Sequence, residues 1–377
     1  MVKKIIFPFA ILSVTFLACS SSKQAIKQPI LKEVFKSDFA IGAALNITQI
    51  EEKDSLAAAV IVQQFNAVTP ENIMKTEVIH PEWAIYNFEP ADKLVALAKK
   101  NKQQVNAHTL IWHSQLSPFV HQIQSVDSFR TFFSGHIKTI ASRYDGKVYS
   151  WDVVNEALNE DGTMRQSVFF KKMGEDYVTE AFRLTQAASP NTQLYYNDYN
   201  NEQPAKRAGC IKLIKKIQAS GVKIDGVGIQ GHWHLGKIPL KEIEESIIQY
   251  AALGIKVAFT EVDIEVLPRE FTGAEISQRM KSGDPSLNPY AAGLPDSVQQ
   301  QLANDYAALF NLFLKHKDKI DRVTFWGVND EQSWLNDWPV NGRTNYPLLF
   351  DRAFKPKPAF YKVIDTKSNK TDAKKAF

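Results

Sequence analysis

Two glutamates stand in settings suited to cleaving an acetal. Glu156 closes the run Trp151-Asp152-Val153-Val154-Asn155-Glu156, and Glu261 lies in Thr260-Glu261-Val262-Asp263. Hydrolysis of a glycosidic bond needs one carboxylic acid to protonate the leaving oxygen and one carboxylate to attack the sugar or activate water. The neighbours separate the two roles. His232, in Gln230-Gly231-His232-Trp233, can reach Glu261, and Asp263, two residues along the same side of a strand, can hold His232 in one tautomer. A hydrogen-bonded Glu261 stays ionised and suits the nucleophile, while Glu156, beside neutral Asn155, suits the general acid. Similar clusters recur along the chain: Thr69-Pro70-Glu71-Asn72 with Lys75, His108-Thr109-Leu110-Ile111-Trp112-His113-Ser114-Gln115, Tyr196-Asn197-Asp198-Tyr199-Asn200, and Trp326-Gly327 with Trp334.

Short apolar runs precede these clusters and read as strands: Phe39–Leu45, Phe65–Thr69, Val105–Leu110, Tyr149–Val154, Gln193–Asn197, Gly226–Gln230, Lys256–Thr260 and Arg322–Trp326. Between them several stretches have a helical period. Phe129, Phe132, Phe133, Ile137 and Ile140 share a face, as do Ile243, Ile247, Ile248 and Ala251, and Val298, Leu302, Tyr306 and Leu309. Strands alternating with crossover helices, with no internal Pro/Gly/Ser linker, predict an α/β fold: one (β/α)8 TIM barrel as a single catalytic domain. In that fold the strand C-termini meet at one mouth, so the polar clusters face one cleft. The long Val262–Gln299 interval reads as an elaborated loop after strand seven.

Composition narrows the class. With 44% hydrophobic and 23% charged residues the 377-residue chain is that of a globular protein, not a disordered or multi-spanning one. A formal charge of +4 with no Lys/Arg run makes nucleic acid a poor partner. The 2 cysteines form no disulfide framework. Lys3 and Lys4 precede the apolar run Ile5 to Leu17, and Ala18-Cys19-Ser20 follows. This resembles a bacterial lipoprotein signal, with plain secretory cleavage as the alternative. Residues 1–18 are then a signal peptide, Cys19 the lipidated N-terminus, 19–36 a polar tether, 37–365 the barrel and 366–377 a polar tail. The product is an exported, membrane-anchored lipoprotein, periplasmic or on the cell surface. Cys210, on an apolar helical face, reads as a small buried hydrophobe.

The clusters together resemble family 10 glycoside hydrolases, typified by endo-β-1,4-xylanases. The match runs from about Phe35 to Asp365 and includes Glu71-Asn72-Ile73-Met74-Lys75, the His108 to Gln115 run, Trp151 to Ala157, Tyr196 to Asn200, Gln230 to Trp233, Thr260 to Ile264 and Trp326-Gly327-Val328. The resemblance implies Glu156 as acid/base and Glu261 as nucleophile. It also implies that Asn155 and His108 hold the sugar being cleaved. Glu71, Asn72, Lys75 and Gln115 would bind on the glycone side, and Tyr199 and Asn200 would meet the leaving group. Trp326 and Trp334 would close over the cleft and Trp112 would back it, while Gln230, His232 and Asp263 would surround the nucleophile. Departures are Asn106-Ala107 where the family usually has Arg-Gly, Val262 in place of a common Leu, and Ser117-Pro118-Phe119 in place of a Leu-Pro-Trp type of sequence. The last is expected to alter a cleft wall.

His232-Trp233-His234 and the pair His108/His113 superficially suggest metal spacing, but the glycosidase reading uses the same histidines and explains both glutamates without a metal. A non-catalytic glycan-binding lipoprotein on the same barrel would be expected to have lost a glutamate. Related cellulases and mannanases share the glutamates, but not the Glu71-Asn72-Lys75 and His-Thr-Leu-x-Trp-His sets. His113, His234 and Trp83 are as well read as packing as sugar contacts. The expectation is a monomeric, cofactor-free, retaining endo-β-1,4-xylanase acting on xylan or xylo-oligosaccharide.

Overall fold

The computed structural model describes residue 1 and residues 28–373, with side chains through residue 367. The strands are β1 (Ala40–Leu45), β2 (Ala67–Pro70), β3 (Gln104–Trp112), β4 (Ser150–Asn155), β5 (Gln193–Asp198), β6 (Gly226–Ile229), β7 (His232–His234), β8 (Lys256–Glu265) and β9 (Ile320–Phe325). All pair in parallel, in the order β6-β5-β4-β3-β2-β1-β9-β8, and β6 pairs with β8 to close the ring. The eight ring strands coincide with the eight read from the sequence, and the fold is a (β/α)8 barrel. β7 is additional. Gly231, at φ +85°, turns the chain after β6 so that His232–His234 pairs with Asp263–Glu265 on the outer half of β8.

Crossover helices cover the ring. Helix Val126–Tyr144 is capped by the Ser125 side chain and buries Phe129, Phe132, Phe133, Ile137 and Ile140, each burial stabilising by about 1.5–3 kcal/mol. Helix Leu240–Ala251 buries Ile243, Ile247 and Tyr250, whereas Ile248 points to solvent. At 100° per residue, position 250 completes the face and 248 falls off it. In helix Asp296–Lys315 the face is Leu302, Tyr306 and Leu309 together with Phe310 and Phe313, and Val298 is only partly covered. Cys210 is fully buried on helix Pro204–Ala219, and burial pushes its thiol up to about 12.

Both expected ends need correction. The folded body begins before residue 37: helix Leu31–Val34 buries Leu31, Phe35 stacks on Phe39 and meets Phe310 at a tilt, and the Leu31 amide donates to Gln64 Oε1 at 2.9 Å. Two apolar anchors are too few to show a period. At the other end helix Pro358–Ala373 runs through the expected tail, and Thr366 is buried. The signal segment and Cys19 lie outside the described residues.

Candidate active site

The strands that carry the polar clusters lose regular register beside them. β3 and β4 shift between His108 and Ile111, β4 and β5 between Asp152 and Val154, and β8 and β9 between Phe259 and Val262. Such irregularities re-aim side chains, here at the mouth of the barrel. Three of the expected site residues have left-handed backbone: Gln115 at φ +46°, Glu156 at +56° and Asn200 at +53°. Each costs about 1–3 kcal/mol and persists only where its surroundings enforce it. For Glu156 the enforcement is explicit, because its amide donates to Asn197 O at 2.9 Å and its carbonyl accepts from Arg165 Nε at 3.1 Å.

The two glutamates are buried and joined by one amide network. Glu156 Oε2 accepts from Trp112 Nε1 at 2.8 Å, and its Oε1 from Gln230 Nε2 at 3.0 Å. Glu261 Oε1 accepts from Asn197 Nδ2 at 2.9 Å, and that nitrogen also donates to Asn155 Oδ1 at 3.0 Å. Asn155 Oδ1 is in turn 3.3 Å from Gln230 Nε2, which completes the link from nucleophile candidate to acid candidate. Asn197 lies in a motif legible in the sequence, but its bridging role was not foreseen. It fits because β6 is glycine there: a Cβ on Gly228 would lie 2.1 Å from Asn197 Oδ1.

His232 lies between two acids, its Nε2 3.3 Å from Glu261 Oε2 and its Nδ1 2.9 Å from Asp263 Oδ1. Asp263 holds Nδ1 as expected, and with Glu261 at the other ring nitrogen the protonated imidazolium is the form that donates to both carboxylates. Burial pulls its pKa down, but Asp263 and Glu261 outweigh burial and hold it up at about 10. For Glu261, burial acts upward; the His232 hydrogen bond and the proximity of His108, His232 and Lys75 overcome it and leave the carboxyl below its ordinary value. Asp263 also accepts from Trp334 Nε1 at 2.8 Å, which fixes that indole against His232.

The glutamates open onto a cavity of about 400 Å³. Glu71, Asn72, Lys75 and Gln115 form one wall, with Lys75 Nζ donating to Asn72 Oδ1 at 2.9 Å and Gln115 Oε1 at 2.8 Å and lying 4.8 Å from the Trp112 ring centroid. Burial lowers the Lys75 pKa against the attraction of Glu71, Glu261 and Glu156. His108 reaches the cavity with its Nδ1 tied to Asp152 Oδ2 at 2.9 Å, a support residue not anticipated. Trp326 and Trp334 stand opposite, and Trp338, also unanticipated, stacks on Trp334 at 4.5 Å. Arg279 and Asp337 add to the rim.

Some expected contacts are placed elsewhere. Tyr199 is buried rather than presented to the cavity: its hydroxyl accepts from Arg165 Nη2 at 3.0 Å and Lys206 Nζ sits 3.7 Å from its ring centroid. Asn200 donates to Glu160 Oε2 at 2.9 Å and does not line the cavity. Phe119 packs on His80, Trp83 and Phe132 behind the wall and not on its surface, so the expected wall change is indirect. His234 is bound to Arg269, at 2.9 Å. Trp83 remains exposed.

A closed (β/α)8 barrel with two bridged carboxylates, an imidazolium behind one of them and an indole on the other defines the site of a glycosidase. The model of glycosyl hydrolase family 10 matches residues 30–366, and the chain belongs to that family. It is 42% identical over 349 residues to endo-1,4-beta-xylanase A of Xylanibacter ruminicola, covering 90% of this chain and 94% of that one. It is 38% identical to an endo-1,4-beta-xylanase of Geobacillus stearothermophilus, covering 89% of this chain and 98% of that one. Among solved structures, a family 10 endoxylanase from a sugarcane soil metagenome superposes with a TM-score of 0.85 at 42% identity, covering 89% and 99%. A mutant structure in complex with xylotriose does so at 0.80 and 35%, covering 90% and 100%.

Proposed function

We propose that the protein hydrolyses internal β-1,4-xylosidic bonds of xylan and xylo-oligosaccharides with retention, by double displacement. In the first step Glu156 gives its proton to the glycosidic oxygen while Glu261 attacks the anomeric carbon and forms a glycosyl-enzyme. In the second, Glu156 takes a proton from water as the water displaces Glu261. The observation that carries the reading is the Asn197 amide nitrogen, shared between Glu261 and Asn155, which fixes the nucleophile relative to the residue adjoining the acid. His232 keeps Glu261 ionised. Lys75, Asn72, Glu71 and Gln115 offer hydrogen-bonding groups to the sugar hydroxyls of the glycone, and Trp326 and Trp334 offer flat apolar faces to its rings.

The relatives' names support xylan as the substrate, and product analysis on xylan, cellulose and mannan tests it. Xylo-oligosaccharides from xylan are expected; faster release of sugars from cellulose or mannan would overturn the assignment. The basic, apolar and Cys19-containing N-terminal segment supports export and lipid anchoring, and the chain is taken to act as a monomer. Among the described residues no helix is long and apolar enough to cross a membrane. Cys19→Ala should move the protein from the membrane fraction to the soluble one.

A further inference from the structure

Between Glu265 at the end of β8 and Asp296 at the start of the next α-helix, residues 266–295 hold one 3-10 turn, Pro285–Leu287, and no strand. Their course is fixed at several points. The segment leaves on the β9 side, where Arg343 Nη1 donates to Pro268 O at 3.1 Å and Phe271 meets Trp338 edge-on at 5.8 Å. It then reaches the far rim. Gly273 lies against Tyr199, where a Cβ would be 3.2 Å from the ring, and Glu275 meets Arg165 Nη1 at 2.6 Å and His113 Nε2 at 3.6 Å. His113 follows β3, which stands across the ring from β8. The segment then returns, with Arg279 Nη1 donating to Asp337 O at 2.8 Å and the Met280 amide to Pro339 O at 3.1 Å.

The far attachment sits beside the proton donor. A side-chain oxygen of Glu275, one of Glu156 and a ring nitrogen of His113 lie within 4.8 Å of one another, and Arg165 is also bonded to the Glu156 carbonyl and the Tyr199 hydroxyl. The cation at Glu275 is therefore Arg165, part of the loop that follows Glu156. The His113 contact, with burial opposing it, and the Arg165 charge bring the Glu275 carboxyl down to about 2, so the attachment stays ionic under ordinary conditions. Ala274 and Ile276, on either side of Glu275, line the cavity, and the Tyr199 ring is covered.

We propose that residues 266–295 form a strap whose far turn, Gly273 to Ile276, covers the leaving-group side of the cleft and is latched by Glu275 on Arg165, and that the latch selects short xylo-oligosaccharides over polymeric xylan. The inference rests on the xylanase reading above. A trisaccharide cleaved to leave one sugar needs little room beyond Glu156. A polymer continues past Ala274 and Ile276, which line the cavity on either side of Glu275, and the latch would hold these residues in its way.

The test is kcat/KM on soluble xylan and on xylotriose for the parent enzyme, Glu275→Ala and the isosteric Glu275→Gln, with the melting temperature of each measured. Loss of one charge-assisted contact should raise the xylan-to-xylotriose ratio about tenfold in Glu275→Ala, and Glu275→Gln, which folds most conservatively, should shift it the same way by less. An unchanged or lowered ratio in Glu275→Gln would overturn the latch. No turnover of either substrate by the parent enzyme would instead overturn the substrate assignment, a result read without any variant.

Discussion

The indole nitrogen of Trp112 donates to Glu156 Oε2 at 2.8 Å. Trp112 is thus more than a backing surface: it orients the carboxyl that must face the glycosidic oxygen. Its Nε1–H can serve only as a donor, so Trp112 and the Gln230 amide, which donates to Oε1 at 3.0 Å, clamp the carboxyl from its two oxygens.

Trp112→Phe keeps the ring and removes the donor. On xylan, kcat/KM should fall about tenfold. On an aryl xylobioside with a good leaving group it should change little, since that first step needs scant protonation. Equal losses on both substrates would show that Trp112 does not act through Glu156.

The pair His232 and Glu261 sets a pH dependence. His232 is raised from its ordinary value near 6.5 to about 10 in the folded protein. Its stabilisation is therefore fully present below about pH 6.5 and is lost as pH rises toward 10. Glu261 is shifted the other way, and its ionised form is favoured to lower pH than an ordinary glutamate. His232→Asn should move the acid limb of kcat/KM upward and flatten the fall in stability between about pH 6.5 and 10. A pH–rate profile with an unmoved acid limb would contradict the role given to His232.

Gly228→Ala tests the bridging amide from behind. The new methyl would meet Asn197 Oδ1 at 2.1 Å and Thr260 Cγ2 at 2.8 Å, so Asn197 must leave Glu261. Overpacking of this kind costs about 1–3 kcal/mol of stability, and kcat should fall about a hundredfold as the nucleophile loses its fixed donor. A stable variant with parental kcat would mean that Asn197 does not position Glu261.

The N-terminal edge of the fold gives a stability prediction. A chain starting at residue 28 should melt with the parent, whereas one starting at 37 loses the buried Leu31 and Phe35. Leu31→Ala alone should cost about 2–5 kcal/mol in denaturant titration. Equal stability of the two truncated chains would place Leu31 outside the core.

The ring and most of the cleft were legible because each rests on local signals. Strand ends were marked by polar residues following apolar runs, as in Val154-Asn155-Glu156, and barrel geometry then brings such ends together. What was not legible depends on contacts between distant segments. Tyr199 reads as an open aromatic until the strap at Gly273 and the Arg165 bond cover it. Asn197 shows its role only when β5, β6 and β8 are set side by side, and the His232 charge only when Asp263 and Glu261 flank it at once. Leu31 and Phe35 carry no period of their own, so their burial is visible only from the core they complete.

The configuration of the first-formed product tests the central claim most directly. Proton NMR of xylo-oligosaccharide cleavage, followed from the first turnovers, should show the β-anomer at the new reducing end before mutarotation, as required if Glu261 forms a glycosyl-enzyme that water then displaces. Initial appearance of the α-anomer would contradict the double displacement and with it the roles given to Glu156 and Glu261.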